Sequence, residues 1–258
     1  MDIVLLILVA FGASWLTFFS GFGLGTLLTP VFILLFKDPI IAIAGTAIVH
    51  FLNNVFKFIL MKRNVNWKVA IPFGLAAIPA AFLGAELISH VQNIVLASYT
   101  IGVKTFDVLL LNVIFSIVLI GFALIEVIPS WTLAFSKKSL WLGGAISGFF
   151  GGLSGHQGAL RTAFLVKYQL EKEAFIATGI VVALAVDIVR TSVYFTSYDI
   201  SSLSEKWLYI IIALVSALFG AILGKFLLKK MNMKFLTNFI SMAMVIFGVA
   251  LALGWLNK

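Results

Sequence analysis

The sequence predicts an all-α integral membrane protein of about ten helical segments, built as two inverted five-helix repeats whose two short half-helices meet near the bilayer midplane. Three observations lead there. Hydrophobic residues make up 62% of the 258 positions and charged residues only 11%, against roughly 25% charged in a soluble domain. Cutting the apolar stretches at glycine, proline and charge clusters leaves ten pieces of helical length. A single offset of 133 residues sets Gly25 against Gly158, Asn54 against Asp187 and Lys57 against Arg190, which marks an internal duplication. Five segments per half is an odd number, so the second copy enters the membrane from the opposite side, as in many secondary transporters.

The segments run as follows. The first, near residues 3 to 20, is apolar throughout and lacks the positive n-region of a signal peptide, so we expect a retained membrane helix starting outside. Further helices are expected near 25 to 36, 39 to 61, 67 to 88 and 106 to 127, with residues 89 to 105 as an elbow. After the polar loop come segments near 140 to 154, 158 to 169, 172 to 197, 206 to 229 and 235 to 256. The corresponding division is a first repeat at 1–130, a cytoplasmic linker at 131–139 and a second repeat at 140–258. No ten-residue alternation of polar and apolar positions recurs, which argues against a membrane β-barrel.

Eighteen basic against ten acidic residues leave a net charge of +8. The bases fall in short clusters between apolar stretches, so they describe topology rather than a nucleic-acid partner. The loops at Lys62, Arg63 and Lys68, at Lys137 and Lys138, at Lys167 and Lys172, and at Lys229, Lys230 and Lys234 alternate with sparse ones at Lys37, at 89 to 105 and at Lys206. Basic loops concentrate on the cytoplasmic side, and the alternation fits ten crossings with both ends outside. Trp67, Trp131, Trp141, Trp207 and Trp255 fall near segment ends, as an interfacial belt requires. With no cysteine and three histidines, no cofactor or metal is expected.

Two segments, 25 to 36 and 158 to 169, are too short to span: about 12 residues cover roughly 18 Å of a hydrocarbon core of roughly 30 Å. Each follows a glycine-rich break, SGFGLG at 20 to 25 and SGHQG at 154 to 158. Broken backbone inside a membrane is tolerated only when buried in protein or facing a watery cavity. The free N–H groups and positive dipole ends of two half-helices would point at the breaks, and this favours an anion. Gly21, Gly23, Gly25 and Thr26 from the first break, and Gly155, His156, Gln157 and Gly158 from the second, are therefore candidate binding residues. The first break offers no counterpart of His156 and Gln157, so the two are not chemically equal. The same glycines would also serve close helix packing, and lone glycines such as Gly12 and Gly121 are read as packing positions.

The third segment of each half adds costly polarity. At about 100° per residue, Thr46, His50, Asn53, Asn54 and Lys57 form one stripe, and Asp187, Arg190, Thr191 and Tyr194 form another. Intramembrane ionisable residues face the bundle interior and point to function, so His50, Asn54, Lys57, Asp187 and Arg190 join the candidate site. Asp187 and Arg190, three residues apart, either neutralise each other as a structural pair or line the site; Lys57 either lines it or snorkels. Arg161, one turn into the second half-helix, opposes the local dipole and becomes favourable when an anion lies between them.

The two halves, with SGFGLGTLLTP at 20 to 30 and GGLSGHQGAL at 151 to 160, resemble the TauE/SafE sulfite exporter family of membrane permeases over nearly the whole chain. The resemblance implies movement of sulfite, sulfoacetate or other small sulfur-containing or organic anions, chiefly outward, across the cell membrane. Export also fits the physics: with the cytoplasm negative, each departing negative charge is driven by roughly 2.3 kcal/mol per 100 mV. We therefore expect a secondary transporter working by alternating access, with a small sulfite-like anion and the lipid bilayer as partners, as monomer or homodimer. Alternatives are an anion channel and a proton-coupled uptake permease, in which His50, His156 or Asp187 would carry the proton. Gly152 to Gly155 match the GxSG form of rhomboid proteases, but no histidine follows His156 to act as the base, and an enzyme is not expected.

Overall fold

The computed structural model describes residues 2–16, 24–127, 140–227 and 233–256. Gly21, Gly23, the side chain of Thr26 and the linker 131–139 lie outside the described residues. Ten α-helices are described: α1 (Asp2–Leu16), α2 (Leu24–Phe36), α3 (Pro39–Met61), α4 (Trp67–Val91), α5 (Leu110–Val127), α6 (Leu140–Ser154), α7 (Gly158–Leu165), α8 (Lys172–Ser197), α9 (Trp207–Leu227) and α10 (Met233–Ala252). Local chemistry sets their ends. Asp38 caps α3 by accepting from the Ile40 and Ile41 N–H groups at 2.9 and 3.2 Å, and Pro39 occupies the first turn, where its missing donor costs nothing. Helix α6 stops because Gly155 turns into the left-handed region at φ +78°, and its N–H closes on the Gly151 carbonyl at 2.9 Å.

Among the described residues four helices are long and apolar enough to cross a membrane, those within Pro39–Asn64, Trp67–Val91, Lys172–Ser197 and Ser201–Phe226. Large apolar side chains such as Leu83, Ile117, Leu208 and Phe226 stand exposed on the outer faces, which suits lipid and would be a liability in water. This is a helical membrane protein. Trp67 and Trp207 open their helices and Trp141 sits at the second position of α6, all half-exposed, as expected of interfacial anchors.

The elbow expected at 89 to 105 is instead a β-hairpin, and it takes over the start of the helix expected from 106. Strands β1 (Val95–Ile101) and β2 (Lys104–Leu109) pair antiparallel around Gly102, and α5 begins only at Leu110. The cause is in the side chains: Tyr99 pairs with Phe106 and Thr100 with Thr105, aromatic and β-branched residues that suit a pleated surface. The rings of Tyr99 and Phe106 stack at 5.5 Å, and the Tyr99 hydroxyl donates to the Leu253 carbonyl at 2.7 Å, tying the hairpin to the end of α10.

Helix α4 packs on α6 and α1 on α9; α5 packs on α10 and α3 on α8; α4 meets α8 as α9 meets α3; and α2 packs on α3 as α7 does on α8. Exchanging α1–α5 in order with α6–α10 leaves these contacts unchanged, whereas the contact of α6 with α8 has no counterpart of like extent between α1 and α3 among the described residues. The α4–α6 contact depends on small residues. A Cβ at Gly144, Gly148 or Gly152 would collide with the carbonyl oxygens of Phe73, Ala77 or Ala81 on α4, and one at Gly84 with that of Phe149 on α6. Backbone therefore touches backbone along two turns of helix. By contrast, a Cβ at Gly12 or Gly121 meets nothing within 4 Å among the described residues, so no described neighbour gives those two glycines the packing role expected of them.

Gly148→Ala should push α6 off α4 and lower stability by about 1 to 3 kcal/mol, read as a fall in Tm of the purified protein in detergent. Gly121→Ala, with room for its methyl group, should show no loss.

Candidate functional site

Helices α3 and α8 cross with their polar stripes facing each other. From α3, His50 Nδ1 lies 2.6 Å from Asp187 Oδ2, and Asn54 Nδ2 donates to the same oxygen at 2.9 Å. A ring nitrogen so close to a carboxylate oxygen is the protonated one. From α8 itself, Arg190 Nε donates to the other oxygen, Oδ1, at 2.9 Å, and Nη2 completes the ion pair at 2.9 Å. Asp187 and Arg190 are fully buried, His50 and Asn54 nearly so. One carboxylate thus receives hydrogen bonds from both halves of the chain.

Gly25 and Gly155 close on this cluster. A Cβ built on Gly25, at the start of α2, would lie 3.6 Å from Thr46 Cγ2, 3.7 Å from the Gly155 carbonyl oxygen and 4.0 Å from His50 Cδ2. Gly25 and Gly155 are therefore adjacent. On the other side of Gly155, the Arg190 guanidinium fills the place a Cβ would take, so only glycine fits there. Among the described residues, Arg190 Nη1, aimed at Gly155, has no hydrogen-bond partner, and neither do Thr46 Oγ1 and His156 Nε2. His156 Nδ1 is held by the Ser154 hydroxyl at 2.9 Å. Gln157, just ahead of Gly158 and α7, packs on Gly151; both of its amide atoms lack partners among the described residues, while its backbone carbonyl accepts from Ser147 Oγ at 3.2 Å. Buried donors without partners are costly, and they collect where backbone and guanidinium N–H groups already converge.

The remaining candidates, Lys57 and Arg161, border this cluster. Lys57, on the α3 stripe and 3% exposed, donates to the Ser14 carbonyl at 3.3 Å, and Ser14 Oγ donates to Asn53 Oδ1 at 3.0 Å. Arg161 stands one turn into α7. Its Nε lies against Gly179 of α8, 3.2 Å from where a Cβ would sit. Gly25, His50, Asn54, Gly155, His156, Asp187 and Arg190 form one cluster, and Lys57 and Arg161 border it, near enough for their charges to act on His50 and Asp187 respectively. Thr178, which interrupts the polar stripe of α8, accepts from the Asn66 N–H at 3.0 Å and so anchors the loop before α4. Sequence reasoning missed Ser14 and Ser147, although the 133-residue offset equates them; two serines at matched positions in apolar helices were the available signal.

Asp187→Asn should cost about 3 to 5 kcal/mol, because it strands the Arg190 guanidinium in a dry interior. Asp187→Asn combined with Arg190→Gln should be less destabilised than the two losses summed, read by thermal unfolding as a double-mutant cycle.

Compared with known proteins, the chain matches the family model described as Sulfite exporter TauE/SafE over residues 6–251. No curated protein and no solved structure matches it.

Proposed function

Because the chain belongs to the TauE/SafE sulfite exporter family of membrane transporters, we propose that it exports sulfite or a related small sulfur-containing or organic anion across the cytoplasmic membrane by alternating access. The observation that carries this reading is the meeting of Gly25 and Gly155 beside the Arg190 guanidinium, with Nη1 and His156 Nε2 left without partners. An oxyanion seated there accepts from Arg190, from His156 and from N–H groups at the helix breaks, and so relieves the donors that the protein leaves open. Asp187 positions Arg190 from behind, and His50 and Asn54 hold Asp187 in turn. Gly25, Gly155 and Gly158 let the anion approach backbone. Gln157 borders the same break.

Alternating access needs two halves able to move against each other around a site they share. The packing pattern that survives exchange of the two halves supports an inverted repeat. So does the 2.9 Å hydrogen bond between Asn54 and Asp187, separated by 133 residues: positions equated by a two-fold axis touch only beside that axis. The potential supplies the drive, roughly 2.3 kcal/mol per negative charge at 100 mV.

The test is sulfite efflux from proteoliposomes containing the purified protein. Arg190→Ala should abolish efflux, and Arg190→Lys, which keeps the charge but not the fork, should leave a slow residual rate. Wild-type flux from both variants in folded protein would remove Arg190 from the site, and single-channel currents from the wild type would replace a carrier with a pore.

A further inference from the structure

Gln157 is 1% exposed, yet both atoms of its carboxamide lack hydrogen-bond partners among the described residues. Its backbone is fixed, because the carbonyl accepts from Ser147 Oγ at 3.2 Å and the next residue opens α7. The side chain turns back along α6, with Cδ 3.2 Å from the place a Cβ on Gly151 would take, and Val186 Cγ1 reaches the same place from α8. Gly151 and Gly155 are one turn apart, joined by the 2.9 Å hydrogen bond that ends α6, and Val186 and Arg190 are one turn apart on α8. Arg190 Nη1 comes against Gly155 as the carboxamide comes against Gly151. The two groups therefore stand on the order of one helical pitch apart, roughly 5 Å, a gap that one oxyanion bridges with hydrogen bonds to both.

Turned either way, a carboxamide presents one acceptor and one donor. A fully deprotonated oxyanion carries acceptors only, so against it Gln157 Oε1 stays unpaired and sets oxygen against oxygen, which is costly in a dry interior. An oxyanion that keeps one O–H satisfies both kinds of group. Charge does not make this choice. The charged and titratable groups around the site are Arg190 and Asp187 of α8, His156 of the break, His50 and Lys57 of α3 and Arg161 of α7, while α6 carries none. Their cations outnumber the single carboxylate and accept an anion of either valence. We infer that Gln157 is a specificity-determining residue of the proposed site, and that the anion taken is a protonated monoanion, hydrogensulfite rather than the sulfite dianion, whose O–H donates to Gln157 Oε1 while its bare oxygens accept from Arg190 and the Gln157 amide. The inference rests on the proposed export function and names the ionic form of its substrate. Each turnover then moves one negative charge and carries out one proton, which the anion takes up from water before it binds. Sites that read a substrate hydroxyl strongly reject analogues without it, so sulfate, which holds no proton near neutral pH, is refused by the same residue.

The distribution of labelled sulfite across proteoliposomes of the full chain tests this, with the potential clamped at zero and the interior more alkaline than the exterior. A carrier of hydrogensulfite equalises that ion and leaves more total sulfite on the alkaline side; a carrier of the dianion equalises the dianion and leaves more on the acidic side. Over protein-free vesicles, the wild type should accumulate sulfite inside. The second measurement is competition by sulfate for labelled sulfite bound to the protein in nanodiscs. Gln157→Leu, which keeps the bulk and removes the acceptor, should narrow the preference for sulfite over sulfate about tenfold to hundredfold. A purely structural role of Gln157 would weaken both anions together and leave their ratio unchanged. Gln157→Met serves in its place if that variant does not fold, and the gradient measurement needs only the wild type. Accumulation on the acidic side, or an unchanged ratio in the folded variant, overturns the inference and leaves the proposed export intact. No protein-dependent movement of sulfite in either direction overturns both.

Discussion

A carboxylate in the middle of an apolar bundle has to be neutralised, and the way Asp187 is neutralised organises this molecule. Its two oxygens are divided between partners: Oδ2 faces His50 and Asn54 of α3, and Oδ1 faces Arg190 of its own helix. The first set joins the two halves of the chain. The second points a guanidinium at Gly155, where a left-handed turn and the absence of a Cβ make space for it. Burial of this group without its partners would cost several kcal/mol, so the crossing of α3 and α8, the break after α6 and the direction of Arg190 are coupled consequences of one buried charge.

Glycine serves two unrelated ends within a few residues of α6. Gly144, Gly148 and Gly152 recur every four positions and remove side chains so that α6 can lie directly on the carbonyls of α4. Gly155 then ends the helix and opens the break. The first use fixes α6 rigidly against its neighbour; the second frees the backbone three residues later. A break placed at the end of a firmly seated helix holds its polar groups in a constant position, which is what recognition of a small anion needs.

Much of this was legible in the residues. The bounds of α3, α6 and α8 follow from Asp38 with Pro39, from the glycine run at 151 to 155 and from the charges at Glu171 and Lys172. The polar stripes of α3 and α8 were visible through helical periodicity, and the offset that equates Asn54 with Asp187 already contained their contact. The hairpin was not visible, because a short run of β-branched and aromatic residues between apolar helices reads equally as loop or helix start. Nor was the course of Arg161. Its lodging against Gly179 depends on how α7 lies on α8, a tertiary relation that no local pattern encodes. The hydrogen bond from His50 to Asp187 joins residues 137 apart and likewise follows from packing alone.

The hairpin between α4 and α5 has its own bearing on how the two halves are joined. Through Tyr99 it is pinned to Leu253 at the foot of α10, and α10 already lies along α5. The outermost helices of the two halves thus share a wall that is glued along its length and riveted at one edge. A wall of that kind resists sliding between its two members, so the halves of the chain are fastened together here as well as at Asp187.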